Sequence, residues 1–327
     1  MKKNKTCVVF HDVDLDGWMS AAIVKHWFIE KSKFIDGIRD ESIGKELDFI
    51  GYNYGQPIPD LSEYDEIIMC DISFPKEEME KLMLHENGMN KLTWIDHHIS
   101  AIKSCEELTI KGLQNTKFAA CELTWLYFMT DINKLHFDDE DVETMPEIVR
   151  LLGLYDSFRH KNTDEETKVL EFQYGARAYI KNYEDAYEYL LKTIGTDLNS
   201  KMTLEFIHTA GKSIYKFLCI EAKQAYKNGF EVKLVENVGM DNGPIRKFIC
   251  INKERFNPIN FGIDYHSEGY DGCACFHYAN GMWNFSLYND NGLVDCSTIA
   301  KQFGGGGHFS ASGFRCDNNT FLQIISK

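Results

Sequence analysis

Short, largely apolar runs of about four residues recur in the first hundred positions of the chain. The clearest are Cys7–Phe10, Ile67–Cys70 and Leu92–Ile95. Apolar runs of this length are typical of strands that are buried on both faces of a parallel sheet. Helical patterns lie between and after them, for example around Met19–Lys31 and Ala119–Thr130. This alternation predicts an α/β fold in which parallel strands are joined by helical crossovers.

The pattern changes after about residue 200. One long helical pattern covers Lys201–Asn228 and stops before Gly229, a suitable residue to follow a helix. Strand-like segments with turn residues between them then follow: Phe230–Val235, Lys247–Ile251, Gly272–Tyr278 and Trp283–Tyr288. We predict a catalytic domain over residues 1–198, a helical linker over 199–228 and a smaller α/β domain over 229–327.

The charge of the chain limits its partners. It has 327 residues, with 35 Lys and Arg against 50 Asp and Glu, and a formal net charge of −15. Such a charge opposes the long-range attraction of a polyanion, so binding of a long nucleic-acid duplex is not expected. A short substrate held in one pocket suits this composition better.

The ten cysteines do not indicate a disulfide framework. Cys7 and Cys70 lie inside predicted strands, and Cys273 and Cys275 alternate along another one. Reduced, mostly buried thiols are expected, with a zinc site at this last pair as a weaker alternative. We find neither a long apolar span nor a signal-peptide core, which predicts a cytoplasmic protein without a membrane partner.

Metal-binding residue types follow the three predicted N-terminal strands. The clusters are, in order, His11, Asp14 and Asp16; then Asp71; then Asp96, His97 and His98. A lone Asp-x-Asp is more often a turn or cap, and a lone His-His pair is more often structural. Here, however, all three clusters follow strands of one predicted sheet, and the carboxyl ends of parallel strands meet at one crevice. Mixed imidazole and carboxylate ligands suit Mn²⁺, and Mg²⁺ or Co²⁺ less specifically.

With Asp156 and the four glycines before His308, these clusters resemble the motifs of the DHH phosphoesterase superfamily. More narrowly, they resemble its DHH–DHHA1 branch, which includes oligoribonucleases of the nanoRNase type, cyclic-dinucleotide phosphodiesterases and relatives of RecJ. The resemblance spans nearly the whole chain in the family's order. It implies an N-terminal parallel-sheet DHH domain that a long helix joins to a smaller α/β DHHA1 domain.

The resemblance also implies two bound Mn²⁺ ions and their ligands. The first ion would be held by His11, Asp14 and Asp71, and the second by Asp16, Asp71, His97 and Asp156. The resemblance further implies catalytic roles for His98 and Asp96. His98 would face the phosphate as a proton donor or charge-stabilising group, and Asp96 would orient a neighbouring imidazole. For Asp12 we expect a solvent-facing or supporting position.

The glycine-rich segment is expected to bind substrate. In the resemblance, Gly304, Gly305, Gly306, Gly307 and His308 form a flexible loop that grips a phosphate or sugar across a cleft from the metals. Many members carry Ser-Leu-Arg or Ser-Phe-Arg in the preceding strand, whereas this chain has tyrosine at the third position. Tyr288 could stack on a base or merely pack, and Arg315 and Arg177 are candidate replacements for the arginine.

These observations predict a Mn²⁺-dependent phosphodiesterase that hydrolyses short oligonucleotides, or linear or cyclic dinucleotides, to mononucleotides by a two-metal mechanism. The alternative is a phosphomonoesterase or phosphoanhydride hydrolase acting on pAp, polyphosphate or pyrophosphate, which the missing arginine mildly favours. A nucleotide sensor without turnover is a third class, and the full ligand set argues against it. The resemblance makes a homodimer plausible.

Overall fold

The computed structural model describes residues 5–32, 47–83, 91–138, 141, 145–236, 243–254, 256–307 and 309–326. The chain divides into two compact units, here called unit 1 (Met1–Ile214) and unit 2 (Tyr215–Lys327). The division falls inside the long helix that the sequence pattern predicts as a linker. The mixed α/β architecture predicted from the sequence is confirmed.

Unit 1 is built on a five-stranded parallel sheet. Its strands are β1 (Thr6–His11), β2 (Leu47–Tyr52), β3 (Glu66–Cys70), β4 (Leu92–Asp96) and β5 (Lys111–Gln114), in the order β2-β1-β3-β4-β5. The strand order reverses direction at β1 and β3. Open α/β sheets bind ligands at the carboxyl ends of the strands beside such a reversal.

Eight helices in the described part of unit 1 surround this sheet or continue from it. They are α1 (Leu15–Ser32), α2 (Lys76–Met83), α3 (Ile99–Ser104), α4 (Ala120–Met129), α5 (Glu147–Asp156), α6 (Glu166–Tyr179), α7 (Tyr183–Thr193) and α8 (Leu198–Lys227), the last of which extends into unit 2. Both faces of β1 are buried, since Cys7 and Val9 belong to one apolar cluster and Val8 and Phe10 to another. This explains why the strand has no polar alternation.

Unit 2 contains a six-stranded mixed sheet. The strands are β6 (Phe230–Val235), β7 (Ile245–Asn252), β8 (Gly272–Ala279), β9 (Met282–Tyr288), β10 (Gly306–Gly307) and β11 (Ala311–Cys316), in the order β10-β11-β9-β8-β7-β6. Only β7 and β8 pair in parallel. The helices α9 (Cys296–Lys301) and α10 (Asn318–Ile325) contribute to the same apolar core as Phe276, Phe285 and Phe314.

The glycine-rich segment departs from the predicted loop. Gly306 and Gly307 form a short strand that pairs with Gly313 and Ser312. The prediction of an unstructured loop is therefore wrong at these two positions, because the backbone groups of two glycines complete the edge of the sheet. His308 lies outside the described residues.

All ten cysteines are free, and nine of them are buried. The Sγ atoms of Cys273 and Cys275 lie 3.9 Å apart. Among the described residues, none of the helices combines the length and the apolarity that crossing a lipid bilayer requires.

Candidate metal centre

The carboxyl ends of β1, β3 and β4 bring three predicted ligands together. Asp71, directly after β3, lies between two imidazoles. Its Oδ2 atom is 3.4 Å from His11 Nδ1, and its Oδ1 atom is 3.4 Å from His97 Nε2. One carboxylate therefore faces both rings, with a different oxygen toward each.

Three further carboxylates complete the cluster. Asp14 Oδ2 is 3.4 Å from the Nδ1 atom of His11. On the other side, His97 Nε2 is 3.2 Å from Asp156 Oδ2 and 3.6 Å from Asp16 Oδ2. We call the set of six side chains the acidic centre: His11, Asp14, Asp16, Asp71, His97 and Asp156. Within it, the ligand atoms of His11, Asp14 and Asp71, and those of Asp16, His97 and Asp156, form groups compact enough to hold an ion.

The loop after β1 is shaped by a glycine. Asp14 Oδ1 accepts a hydrogen bond of 3.1 Å from Gly17 N, in the first turn of α1, so its other oxygen is directed to His11. A Cβ atom at position 17 would lie only 2.0 Å from the carbonyl oxygen of His11. Glycine is therefore required where α1 begins against the end of β1.

Asp71 has an unusual backbone conformation. Its φ angle is +61°, a left-handed value that costs free energy for residues other than glycine, although aspartate tolerates it better than most. Its N–H donates to the carbonyl oxygen of Ile95 over 2.9 Å, which holds this strained residue against β4. The side chain is nearly inaccessible, at 1% exposure. Strain of this kind is typical of functional sites.

Asp16 has a second role that the sequence pattern did not reveal. Its Oδ2 accepts from Ala120 N over 2.9 Å and its Oδ1 accepts from Cys121 N over 2.7 Å. Both donors are unpaired N–H groups of the first turn of α4, where the helix dipole also favours a negative charge. The carboxylate thus anchors α4 while one oxygen faces His97.

Asp96 and His98 form a separate pair. Asp96 Oδ1 accepts from the backbone N–H groups of His97 and His98, over 2.7 and 3.0 Å, and lies 2.8 Å from His98 Nδ1. Its Oδ2 accepts from Trp94 Nε1 over 3.2 Å. The hydrogen on His98 Nδ1 therefore points to Asp96, which leaves Nε2 available for another group. Asp96 orients an imidazole here and is buried away from solvent.

The carboxylates change the protonation of the two histidines in the acidic centre. Burial acts to lower the pKa of His11, but Asp14 and Asp71 outweigh it and raise that pKa to about 10. Burial likewise opposes Asp71, Asp16 and Asp156 at His97, whose pKa is also raised to about 10. Without cations, the centre therefore balances its negative charge with protons on imidazoles.

The carboxylates also repel one another. Burial, together with Asp71 and Asp156, raises the pKa of Asp16 well above its ordinary value. Burial raises the pKa of Asp156 to about 7, with His97 opposing the shift and Asp14 and Asp71 adding to it. Several carboxylates forced together in this way are a poor arrangement for a protein alone and a good one for divalent cations.

Two buried atoms test whether cations fit this set. His11 Nδ1 and Asp71 Oδ1 are inaccessible and have no hydrogen-bond partner. Buried polar atoms without a partner are rare and costly. A cation ligated by these atoms satisfies both, and the oxygen and imidazole donors suit Mn²⁺ or a similar ion. The residues present therefore fit a divalent metal.

Two supporting acids lie near the centre. Asp12 accepts from Trp18 Nε1 over 2.7 Å, which gives it the supporting position expected from the sequence. Glu122, which the sequence analysis missed, is fully buried and forms an ion pair with Arg159, and it accepts from Ala119 N over 2.9 Å. A single acid inside the apolar run of α4 was the available signal.

In unit 2, several of the predicted substrate residues line a cavity of about 490 Å³, here called the unit 2 pocket. Its polar and glycine lining residues are His277, Asn284, Ser286, Gly304, Gly305, Gly313 and Arg315. The strand register sets Arg315 of β11 opposite Asn284 of β9, and Asn284 opposite His277 of β8. Sequence reasoning missed His277 and Asn284, because only the register reveals that they neighbour Arg315.

The remaining candidates lie elsewhere. Tyr288 shares a face of β9 with Ser286 and pairs with Ala311 and Cys273. Arg177, on α6 of unit 1, is exposed, and its guanidinium lies 5.2 Å from the centre of the Tyr155 ring. It therefore adjoins the residue before Asp156.

No family model matches the chain. A curated relative, the uncharacterized protein R106 of Acanthamoeba polyphaga mimivirus, is 24% identical over 94% of this chain, which spans 66% of that protein. Among solved structures, the DHH domain of a member of a ribosomal-protein family aligns with 99% of this chain and 85% of its own, at 13% identity and a TM-score of 0.58. A pGpG-specific phosphodiesterase from Vibrio cholerae aligns over 99% and 97%, at 13% identity and a TM-score of 0.48.

Proposed function

The chain has the DHH-domain fold, and from this premise we propose that it is a divalent-cation-dependent phosphodiesterase. Its substrates are short oligonucleotides or linear or cyclic dinucleotides, which it hydrolyses to mononucleotides. The observation that carries the proposal is the acidic centre, in which six side chains from separate elements meet at the carboxyl ends of β1, β3 and β4.

Two groups within the acidic centre suit two cations, and we propose Mn²⁺ for both. His11, Asp14 and Asp71 would hold one, and Asp16, Asp71, His97 and Asp156 the other. When bound, such ions supply Lewis-acid polarisation of a phosphoryl oxygen and activation of water. Asp71 has one oxygen toward each histidine, so it is the residue that can serve both ions.

His98 is the proposed catalytic imidazole. Because its Nδ1 faces Asp96 at 2.8 Å, the ring is held in one orientation and Nε2 can face a phosphate oxygen. Burial acts to lower the pKa of His98, but Asp96 and Asp71 raise it, which favours the protonated ring. A protonated Nε2 can donate a hydrogen bond to the substrate or a proton to the leaving oxygen.

The unit 2 pocket is the proposed site for a terminal group of the substrate. Arg315 supplies a positive charge, His277, Asn284 and Ser286 supply hydrogen-bonding side chains, and the glycines allow close approach of backbone. The volume of about 490 Å³ lies within the range of small-molecule sites. We expect this pocket to set affinity while the acidic centre carries the chemistry.

The test is a substrate panel with the full-length protein and Mn²⁺. Di- to pentanucleotides, cyclic dinucleotides, pAp, pyrophosphate and polyphosphate are incubated separately, and bound metal is quantified on the same sample. We expect mononucleotide release from at least one phosphodiester. A His98→Gln variant should turn over more slowly with unchanged metal content.

Two results would contradict this proposal. Release of inorganic phosphate from pAp or polyphosphate, with every dinucleotide untouched, would favour the phosphomonoesterase or phosphoanhydride hydrolase. Tight nucleotide binding with no turnover in Mn²⁺, Mg²⁺ or Co²⁺ would indicate a sensor.

A further inference from the structure

An exposed tyrosine stands beside the acidic centre without belonging to it. The side chain of Tyr54 is 54% exposed. Even so, the centre of its ring lies 6.0 Å from that of His11 and 6.5 Å from that of His98. The two imidazoles are themselves 6.3 Å apart. Three rings therefore border one space at the edge of the centre, and the tyrosine offers the largest apolar surface there.

The backbone holds Tyr54 in a tight turn. Gln56 N donates to the carbonyl oxygen of Asn53 over 3.1 Å, and Gly55, the third residue of the turn, has a φ angle of +88°. A positive φ at this position is characteristic of a type II turn. The Asn53 side chain also accepts from Asp12 N over 3.2 Å. The turn is thereby attached to the loop that leaves β1.

The hydroxyl end of Tyr54 is held as well. It lies 3.4 Å from the Oγ atom of Ser73, two residues after Asp71, and Ser73 is itself buried. Burial raises the pKa of the Tyr54 phenol, so the group stays neutral at physiological pH. Because both ends are fixed, the ring loses little conformational freedom when a ligand covers it.

We propose that the Tyr54 ring is a stacking surface for a nucleobase of the substrate, next to the phosphodiester at the acidic centre. This inference rests on the proposed function and narrows it. Stacking on an aromatic ring tolerates any base, because every base has a π face. It also adds affinity without adding charge to a site that is already rich in carboxylates. The residue therefore selects nucleotides over inorganic polyphosphates.

A simpler role for the ring is to shield His11 from water. Shielding would affect all ligands alike, whereas stacking acts only on ligands that carry a base. Two ligands that differ only in the presence of bases therefore separate these roles. The conservative change Tyr54→Phe keeps the ring and removes the hydroxyl, which makes it the matched control for Tyr54→Ala.

The experiment measures binding by titration calorimetry in Mn²⁺, with the full-length wild type, Y54F and Y54A. One ligand is a diadenosine phosphorothioate that resists hydrolysis, and the other is the same compound without its bases. We expect Y54A to bind the adenosine ligand on the order of tenfold more weakly. Its affinity for the base-free ligand, its metal content and its melting temperature should stay unchanged. Y54F should retain the preference for bases.

Three outcomes would overturn the stacking role. These are an equal loss of both ligands in Y54A, no loss of either, or a wild type that does not prefer the ligand with bases. Failure of the proposed function looks different, because the wild type would then turn over no dinucleotide at all. The binding comparison would still decide the role of Tyr54 in that case.

Discussion

The acidic centre of unit 1 and the unit 2 pocket are built in opposite ways. The centre is largely buried, and hydrogen bonds such as those from Gly17 N to Asp14 and from Ala120 N to Asp16 hold its side chains. The pocket is open, and its one arginine, Arg315, is exposed on the face of β11. A site that must hold charges close together needs support from many elements. A site that only grips a ligand does not.

Asp71 provides the most severe test of this difference. Asp71→Asn keeps a residue type that accepts a positive φ but removes the charge between His11 and His97. Losing metal charge at the reacting group costs several kcal/mol, so we expect turnover to fall by roughly a thousandfold or more. Steady-state kinetics with metal analysis checks this. Asp60→Asn, at an exposed carboxylate, is the control, and an active D71N with full metal would contradict the proposal.

Asp16 and Asp156 separate support from ligation within the centre. An amide at position 16 can accept only one of the two N–H groups of α4, so Asp16→Asn should lower the free energy of unfolding by about 1–3 kcal/mol. Asp156 is partly exposed, and Asp156→Asn should change stability by about 0.5 kcal/mol or less. Denaturant unfolding in EDTA measures both. Equal effects would mean that the bonds to α4 do not stabilise unit 1.

Two neighbouring glycines test the unit 2 pocket. A Cβ atom on Gly305 would lie 2.1 Å from the carbonyl oxygen of Gly313, whereas one on Gly306 would meet nothing within 4 Å. We expect Gly305→Ala to raise KM roughly tenfold with little change in kcat, since the pocket binds rather than reacts. Gly306→Ala should resemble the wild type. If G305A instead lowered kcat alone, the pocket would not be a binding site.

The smallest expected effect concerns the buried support of α5. His160 is buried, and its Nδ1 lies 2.9 Å from the carbonyl oxygen of Leu154. Burial lowers its pKa, so near pH 6 the unfolded chain binds more protons than the folded one, and stability falls as pH decreases. His160→Asn keeps a donor that cannot titrate. Its free energy of unfolding should fall less between pH 7 and pH 5 than that of the wild type.

The control for this measurement is His277→Asn in the open unit 2 pocket. We expect its dependence on pH over the same range to match that of the wild type. A wild type and an H160N variant with parallel curves would show that His160 does not contribute to the loss of stability in acid.

Much of unit 1 could be predicted from local signals. The apolar runs before His11, Asp71 and His97 are buried strands of one parallel sheet, because such runs need burial on both faces. The motif residues follow these strands within a few positions, so their approach to one edge followed from topology alone. The glycine-rich segment was less predictable, since Gly306 and Gly307 pair with β11 and no local pattern specifies that partner.

Some site residues gave no usable signal in the sequence. Tyr54 looks like an ordinary turn residue, and its place beside His11 depends on β2 lying next to β1 in the sheet. His277 and Asn284 join Arg315 only through the register of three strands. Each of these neighbourhoods arises from pairing between segments that are distant along the chain, which composition and periodicity do not encode.

By itself, the sequence determined which segments become buried strands and which side chains stand at their ends, because hydrophobic periodicity and residue chemistry are local properties. Only the tertiary structure decided which atoms meet. Asp16 holds the N–H groups of Ala120 and Cys121, 104 and 105 positions away, and Asp71 lies between two imidazoles from separate strands. Contacts of this range depend on how the whole chain packs, since they form only after the sheet and helices have assembled.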